Sequence, residues 1–296
     1  MPRLTLIDAC INEILGSLEG NLRKRTAFCL ALGMALLSAW PGRPSTQKIG
    51  LRKTAREVLE SRLRDCPKEN GQRWRKIKEM FRAAGCGDDR LSELPVPGFP
   101  EPNVICVLPG ENETTIIVGA HFDNYGAGHG VIDNWSGAVL LPTLFESLKV
   151  LPRKHTFIFV AFAAEEDGLK GSAQYARKMT REDVARTRAM VNLDCLGLGA
   201  TAVLKSGANK MLKDQLIKVA AAAKIPLRYV NYQRSLWDAD SFSMKIPHIT
   251  LHSIRRITAD ISNTSNDNLD QVRWDEYYQS YLLVAMYLAY IDTQLN

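Results

Sequence analysis

The sequence predicts an α/β protein, a three-layer sandwich in which a mixed, mostly parallel central sheet lies between helices. β-rich runs alternate with helical runs from about residue 103 to the carboxyl end. Thr156 to Ala163 (TFIFVAFA) is apolar without alternation, which is typical of a strand covered on both faces. No linker-like stretch divides residues 46 to 296, so we expect them to form a single domain.

Residues 46 to 85 predict two amphipathic helices, because apolar side chains recur there at three- and four-residue steps. A proline-bearing loop, Pro95 to Pro102, follows them. Asn103 to Pro109 and Thr114 to Ala120 are short β-rich runs. The four residues between them, Gly110 to Glu113, indicate a hairpin-like link.

The remaining elements are predicted from the same periodicities. Helices are expected at Ser136 to Leu148, Ser172 to Met179, Lys210 to Ala223 and Trp274 to Ile291. Strands are expected at Thr156 to Ala163, Ala189 to Leu193, Ala202 to Lys205, Leu227 to Tyr232 and His248 to Leu251. In sheets of this kind, functional residues collect where strands end and loops begin.

The composition is that of a globular protein, with 296 residues of which 46% are hydrophobic and 24% charged. No internal repeat is present, which argues against solenoids and propellers. The net charge of +6 is spread over many short clusters. The charge pattern therefore gives no support for nucleic acid as a partner.

The amino end carries a basic-then-apolar pattern. Arg23, Lys24 and Arg25 precede Thr26 to Trp40, a run of 15 residues without charge. This run is short against the roughly 20 residues that cross a bilayer, and its order is typical of a secretory signal. We interpret residues 1 to 45 as an export signal or an N-terminal membrane-associated segment. The protein is then expected to be secreted or periplasmic, with membrane contact only through this segment if it stays uncleaved, and a buried helix is the alternative.

Six cysteines show neither CxxC pairs nor dense spacing, which argues against a disulfide scaffold and a structural zinc finger. Export would permit a bridge between Cys66 and Cys86. Cys106 and Cys195 lie in apolar runs, and we expect them to be buried free thiols.

Acids and a histidine cluster where the clearest predicted strands end. They are His121 and Asp123 after the second β-rich run, Asp133 in the next loop, Glu165 and Glu166 after the third, and Asp194 after the fourth. Carboxylates that converge at one sheet edge repel each other unless they bind a cation, and no basic residues are interleaved to pair them. Imidazole and carboxylates without thiolates are typical of a catalytic zinc site.

Four motifs in this order resemble metallopeptidase family twenty-eight, the co-catalytic zinc aminopeptidases, of which glutaminyl cyclases are relatives on the same fold. They are GAHFD (Gly119 to Asp123), IDNWSG (Ile132 to Gly137), AFAAEEDGLKGS (Ala161 to Ser172) and VNLD (Val191 to Asp194). The resemblance runs from about Asn103 to the carboxyl end. It implies a zinc exopeptidase-like fold and a zinc-dependent aminopeptidase that hydrolyses amino-terminal residues from peptide substrates.

The resemblance also implies a role for each residue. His121 and Asp194 would hold one zinc, Asp133 would bridge two zincs, and Glu166 would hold the second. Glu165 would be the general base. Asp123 would fix the orientation of the imidazole.

The last ligand departs from the family pattern. The family has a histidine in a segment resembling His-Thr-x-x-Asp-x-x-Asp, whereas this chain has Asn263 at the start of the corresponding stretch, which ends at Asp270. An amide oxygen is a poor zinc ligand, so we expect one tight zinc and a second that is labile or absent. Glutaminyl cyclases use the weakened site for their single zinc, so the resemblance disfavours cyclisation. A catalytically impaired relative that acts as a binding module is the main alternative.

Four further features have two interpretations each. His252 ends a strand and could approach the site, although a hydrogen-bonded structural histidine is favoured. His129 could line the mouth, although a solvated loop residue is favoured. Trp135 fits a pocket wall or core packing equally. Asp238 to Phe242 resembles the family's pocket segment, although its acids could be turn residues.

Overall fold

A computed structural model describes residues 51–205, 207–231, 236–243, 245–258 and 260–296. The predicted export segment and the domain boundary at residue 46 lie outside this part of the chain. Within the described ranges, no helix has both the length and the apolar character that a membrane span needs.

Eight strands form one sheet in the order β1-β2-β4-β3-β5-β8-β6-β7. Their bounds are Leu91–Leu94 (β1), Asn103–Leu108 (β2), Thr115–His121 (β3), Thr156–Phe162 (β4), Thr187–Leu193 (β5), Ala202–Leu204 (β6), Arg228–Val230 (β7) and His248–His252 (β8). Four of the seven strand pairings are parallel. The predicted mixed, mostly parallel sheet is therefore confirmed.

The four central strands, β4, β3, β5 and β8, run in the same direction. Their carboxyl ends therefore meet at one edge of the sheet, which is where ligands bind in open α/β folds. This edge carries the residues that follow Phe162 and Leu193 and the strand-end side chains of His121 and His252. The parallel centre of the sheet is what brings these distant positions together.

The predicted hairpin between the second and third strands is wrong. β4 lies between them, antiparallel to β2 and parallel to β3. The link after β2 hydrogen-bonds to the chain that leads into β4, where the Glu111 and Asn112 amides donate to the Arg153 and Lys154 carbonyls at 2.9 and 3.0 Å. These bonds hold the link beside β4 rather than closing a two-stranded turn.

Helices cover both faces of the sheet. Their bounds are Arg56–Arg64 (α1), Asn70–Ala84 (α2), Leu140–Leu148 (α3), Lys170–Lys178 (α4), Arg181–Arg186 (α5), Lys210–Ala222 (α6) and Trp274–Gln294 (α7). A helical turn, Ser136–Ala138, precedes α3. β1 and α5 were not predicted, since both are short and carry mostly half-exposed or exposed residues.

Side chains of the central strands alternate between two apolar cores. On β3, Ile116 and Val118 belong to the larger core with α1, α2, α3, α6 and α7, whereas Ile117 belongs to the smaller core. On β4, Phe159 and Val160 divide in the same way. Because both faces are covered, the strands need apolar residues at every position, which explains the unbroken apolar run of β4.

The cysteine predictions are wrong for the bonded pair. A disulfide joins Cys86 to Cys106, with 6.4 Å between their Cα atoms, while Cys66 and Cys195 are free. Gly85, with φ +95°, ends α2 and turns the chain so that β1 pairs Leu91 with Cys106. The pairing of β1 with β2 brings Cys86 close to Cys106 of β2. The spacing of the cysteines in the sequence did not indicate this contact.

Candidate functional site

His121 ends β3 and points its imidazole into a cluster of carboxylates. Its Nε2 atom lies 3.1 Å from Asp133 Oδ1 and 3.7 Å from Asp194 Oδ2, and its side chain is 1% exposed. Asp194 directly follows β5, the parallel neighbour of β3. The strand order therefore places two of the predicted zinc ligands side by side.

Asp133 reaches the cluster from the turn Val131–Trp135. The Asp267 carboxylate holds this turn by accepting hydrogen bonds from the Ile132 amide at 2.8 Å and the Asp133 amide at 2.9 Å. Asn134 ties it to the end of β5, because its side-chain amide donates to the Leu193 carbonyl at 2.9 Å. Backbone contacts on both sides thus fix the Asp133 carboxylate.

Asp123 connects the imidazole to the glutamate pair. Its Oδ1 atom lies 3.3 Å from His121 Nδ1, and its carboxylate accepts from the Glu165 and Glu166 amides at 3.1 Å each. Burial opposes ionisation, but His121 and these amides outweigh it and lower the pKa of Asp123. A single carboxylate therefore positions three of the predicted site residues.

Glu165 and Glu166 follow β4 and face the same cluster. Glu165 Oε2 lies 3.9 Å from His121 Nε2. Burial raises the pKa of Glu165 to about 10 and that of Glu166 to about 8, and neighbouring carboxylates add to both shifts. Glu166 Oε2 accepts a hydrogen bond from Asn263 Nδ2 at 2.9 Å.

The loop that carries Asn263 packs against the glycine-rich segment after Asp123. A Cβ atom at Gly128 would lie 2.2 Å from the Thr264 carbonyl oxygen, so only glycine permits this approach. The His129 amide donates to the Asp267 carbonyl at 2.8 Å. These contacts place Asn263 opposite Glu166.

The electrostatics of the cluster fit a divalent cation. No Lys or Arg in the described ranges forms an ion pair with the carboxylates of Asp133, Glu165, Glu166 or Asp194. Burial raises the pKa of Asp194 to about 8. Burial opposes protonation of His121, yet the surrounding carboxylates raise its pKa well above the usual range.

One ligand atom from each of His121, Asp133 and Asp194 lies within 4.8 Å of the others, and His121, Glu165 and Glu166 form a second such group. Both groups consist of imidazole nitrogen and carboxylate oxygen, the donors that zinc accepts in catalytic sites. The donor set therefore matches the predicted metal, and a dication would favour the ionised carboxylates that burial disfavours.

The structure separates the alternatives left open by the sequence. His252 is buried beside Trp237, with 5.2 Å between ring centroids, and neither ring nitrogen has a hydrogen-bond partner among the described residues. The predicted hydrogen bond of His252 is thus wrong, and His129 is exposed as expected. Trp135 is fully buried, and its Nε1 donates to the Arg62 carbonyl at 3.2 Å, so it packs in the core.

Asp238 is a buried acid of this site. It lies in a 3-10 helix, Asp238–Phe242, that contacts β3, β5 and β8, and burial raises its pKa to about 7. His121 favours its ionised form through charge, which places the two groups in the same electrostatic environment. The other acid of the segment, Asp240, is a turn residue, because its carboxylate accepts from the Trp237 backbone amide at 2.8 Å.

Asp267 and Asn134 hold the Asp133 turn, and neither was predicted as a site residue. A signal existed for each. Asp267 is the first aspartate of the segment that begins at Asn263, and Asn134 lies inside the IDNWSG motif. Neither is a ligand, and their function depends on backbone amides and carbonyls that side-chain patterns do not reveal.

The chain is similar to peptidases of known sequence and structure. The family model for Peptidase family M28 matches residues 103–288, which confirms the predicted resemblance. A probable leucine aminopeptidase of Trichophyton verrucosum (strain HKI 0517) is 29% identical over 134 residues, which are 41% of this chain and 35% of that protein. Aminopeptidase YwaD of Bacillus subtilis (strain 168) is 34% identical over 82 residues, 28% of this chain and 18% of that protein. The chain thus spans about a third or less of these curated relatives.

Solved structures share the fold. The LapA aminopeptidase of Legionella pneumophila superposes with a TM-score of 0.72 at 19% identity, covering 82% of this chain and 73% of that chain. BSAP, a zinc aminopeptidase from Bacillus subtilis, gives a TM-score of 0.58 at 20% identity, covering 66% and 50%. A glutaminyl cyclase from an Acidobacteriales bacterium gives 0.65 at 17% identity, covering 89% and 100%. These likenesses establish the α/β sandwich predicted from the sequence.

Proposed function

We propose that this chain, which belongs to peptidase family M28, is a zinc-dependent aminopeptidase that hydrolyses amino-terminal residues from peptides. The observation that carries the proposal is the buried group of His121, Asp133 and Asp194, with the Glu165 carboxylate 3.9 Å from the same imidazole nitrogen. The aminopeptidase names of the relatives agree with it.

The proposed tight zinc site consists of His121, Asp133 and Asp194. A zinc ion held there would supply a Lewis acid that polarises a carbonyl group and acidifies water. Without a cation, burial raises the pKa of Asp194 to about 8, and a dication would stabilise its ionised form. Asp123 holds His121 from the Nδ1 side, which leaves Nε2 directed at the site.

Glu165 is the proposed general base. Its carboxylate would take a proton from the attacking water and deliver it to the amine that leaves. The Asp123 carboxylate fixes the Glu165 backbone through the amide hydrogen bond, so the position of the base is coupled to that of His121. Burial raises the pKa of Glu165 to about 10, so a bound dication would be needed to stabilise the carboxylate form that accepts the proton.

The second metal site is proposed to be weak. Asn263 presents its Nδ2 donor to Glu166 Oε2, and a donor group cannot coordinate a cation. In place of a histidine nitrogen, Glu166 therefore has an amide neighbour that compensates its charge by a hydrogen bond. We propose one tightly held zinc per chain and a second ion that is labile or absent.

The activity can be tested with a panel of aminoacyl nitroanilides, with and without added zinc or cobalt. We expect hydrolysis that depends on the metal, and a decrease of about 10²- to 10⁴-fold in Glu165→Gln, because a general base contributes that much. Asp167→Asn, a change of the next acid along the chain, is the matched control. Activity that survives Glu165→Gln would refute the mechanism.

Two alternatives remain distinguishable in the same assay. No hydrolysis with any metal would favour the binding module, a relative that keeps the fold without catalysis. A peptide with an amino-terminal glutamine tests the glutaminyl cyclase alternative, because cyclisation releases ammonia whereas hydrolysis releases free glutamine. We expect release of glutamine.

Export is proposed as well. The Cys86–Cys106 disulfide supports it, because such bonds persist in oxidising compartments. Sequencing the amino end of the protein recovered from its host would test it. We expect a mature chain that begins near residue 40 and is found outside the cytoplasm, and a full-length reduced chain inside the cell would contradict the proposal.

A further inference from the structure

Arg73 is a buried arginine of α2 whose hydrogen bonds reach the loop between two proposed ligands. Its side chain is fully buried, and its Nε donates to the Pro67 carbonyl at 2.8 Å. Its Nη1 donates to the Phe122 carbonyl at 3.0 Å, and its Nη2 to the carbonyls of His129 at 2.5 Å and Gly130 at 2.9 Å. Backbone oxygens rather than carboxylates therefore satisfy this buried cation.

The positions of these acceptors are the informative feature. Phe122 directly follows His121, and Gly130 directly precedes the turn that carries Asp133. A single planar guanidinium thus binds both ends of the segment that separates the two ligands. Arginine can do this because its donors lie in a fixed fork, whereas a lysine ammonium is a single point charge.

The packing around this contact is close. Gly130 has φ +56°, and a Cβ atom there would lie 2.8 Å from Arg73 Nη2. The Trp135 ring lies 5.5 Å from the guanidinium carbon. A shift of the Arg73 side chain would therefore be transmitted to the Asp133 turn.

Other contacts join α1 and α2 to the chain that follows His121 and to the turn that carries Asp133. The Asn124 amide donates to Asn70 Oδ1 at 2.9 Å, and Trp135 Nε1 donates to the Arg62 carbonyl at 3.2 Å. The far end of α2 is linked to β2 by the Cys86–Cys106 disulfide. α1 and α2 precede residue 103, where the family match begins, yet they brace the site.

We infer that Arg73 is a positioning residue: it sets the spacing between His121 and Asp133 and thereby the affinity of the site for zinc. The inference rests on the proposed zinc site. The 3.1 Å separation of His121 Nε2 and Asp133 Oδ1 is the distance that the guanidinium holds. Residues that orient metal ligands contribute about 10- to 100-fold to metal affinity.

The test compares zinc dissociation constants of the full chain by competition with a chromophoric chelator. Arg73→Lys and Arg73→Met are expected to bind zinc about 10- to 100-fold more weakly than wild type. The cobalt-substituted variants should show shifted visible absorption bands, because the ligand geometry changes. Arg75→Lys and Arg75→Met, at an exposed position of the same helix, are the matched controls and should leave both measurements unchanged.

A rescue experiment separates positioning from general stability. Millimolar guanidinium added to Arg73→Ala should fill the vacated space and restore zinc affinity toward that of wild type. Circular dichroism of each sample must show the folded state without guanidinium, so that the regained affinity is not regained folded protein. If the Met and Ala variants fail to fold, Arg73→Lys decides the question alone.

Zinc affinity within about twofold of wild type in Arg73→Lys, with an unchanged cobalt spectrum, would overturn the inference. Failure of the proposed function would be seen in the wild-type protein and not in the Arg73 variants. Wild-type protein that binds zinc but cleaves no aminoacyl substrate would refute the peptidase and leave the role of Arg73 measurable. Wild-type protein that takes up no zinc would refute both.

Discussion

Two histidines end parallel strands at the same edge of the sheet and have opposite surroundings. His121 ends β3 and His252 ends β8, and both are buried. Carboxylates surround His121, the nearest of them Asp133 at 3.1 Å. His252 instead lies against the Trp237 ring, and neither of its nitrogens has a hydrogen-bond partner among the described residues.

The difference in neighbours reverses the acid-base chemistry. Burial disfavours the charged imidazole in both cases. At His121 the carboxylates outweigh burial and raise the pKa. At His252 burial dominates, the positive charge of Arg228 adds to it, and the pKa falls to about 4. The same residue type in the same kind of position thus lies among carboxylates in one case and against an aromatic ring in the other.

The comparison is tested most severely by removing each histidine. His121→Ala should lower zinc affinity more than about 100-fold, because a direct ligand contributes more than the residues that orient it. Hydrolysis should fall with it. His252→Phe should keep the zinc affinity of wild type, since the imidazole packs like an apolar ring. Isothermal titration with zinc checks both, and weaker zinc binding in His252→Phe would place that residue in the site.

Acid stability tests the His252 half of the comparison. Its pKa of about 4 in the folded chain lies below the ordinary value of about 6.5, so the unfolded chain binds the proton first. The contribution of neutral His252 to the free energy of unfolding is fully present above pH 6.5. It is lost as the pH falls from 6.5 toward 4, by up to about 3 kcal/mol. His252→Phe should remove this part of the acid sensitivity in urea unfolding at pH 7.5 and 4.5.

Substitution of exposed Asn266, which does not titrate, by glutamine is the control for that measurement. It should leave the difference in unfolding free energy between the two pH values as in wild type. An equal pH dependence in wild type and His252→Phe would show that His252 does not remain buried and neutral.

Substitution of Asp123, whose carboxylate faces His121 Nδ1, should lower zinc affinity less than loss of His121 itself. Asp123→Asn keeps the shape of the side chain but removes the charge that faces Nδ1 and weakens the acceptor for the two glutamate amides. We expect zinc affinity to fall about 10- to 100-fold. The cobalt spectrum should shift, whereas Asp240→Asn, an acid of the neighbouring 3-10 helix, should not shift it.

The smallest effect on zinc binding is expected when Asn263 is replaced by histidine. Asn263→His is expected to raise the zinc content from about one toward two ions per chain, because it supplies the missing imidazole. The gain is limited, since residue 263 has φ +60°, a conformation that costs a side chain about 1 kcal/mol. Elemental analysis after dialysis measures the content, with Asn266→His as the control. Unchanged content would mean that residue 263 does not face the second site.

The sequence predicted the central part of the fold well because the central strands are rich in apolar residues and polar residues stand at or just after their carboxyl ends. The run of β4 and the acids that follow it are an example. The predicted hairpin between β2 and β3, at the short link that begins at Gly110, is wrong. Local spacing does not reveal that β4 lies between these two strands. Arg73 was also missed, although it occupies the buried face of α2 four residues before Ile77.

The sequence by itself determined which chemical groups stand at the strand ends, because strand periodicity and motif order are local properties of the chain. The tertiary structure decided which of those groups meet. Parallel pairing of β3 with β5 brings Asp194 to His121, whereas the packing of Trp237 gives His252 an apolar environment. The reason is physical: protonation and metal affinity depend on distances between residues far apart in sequence, and only the folded chain sets those distances.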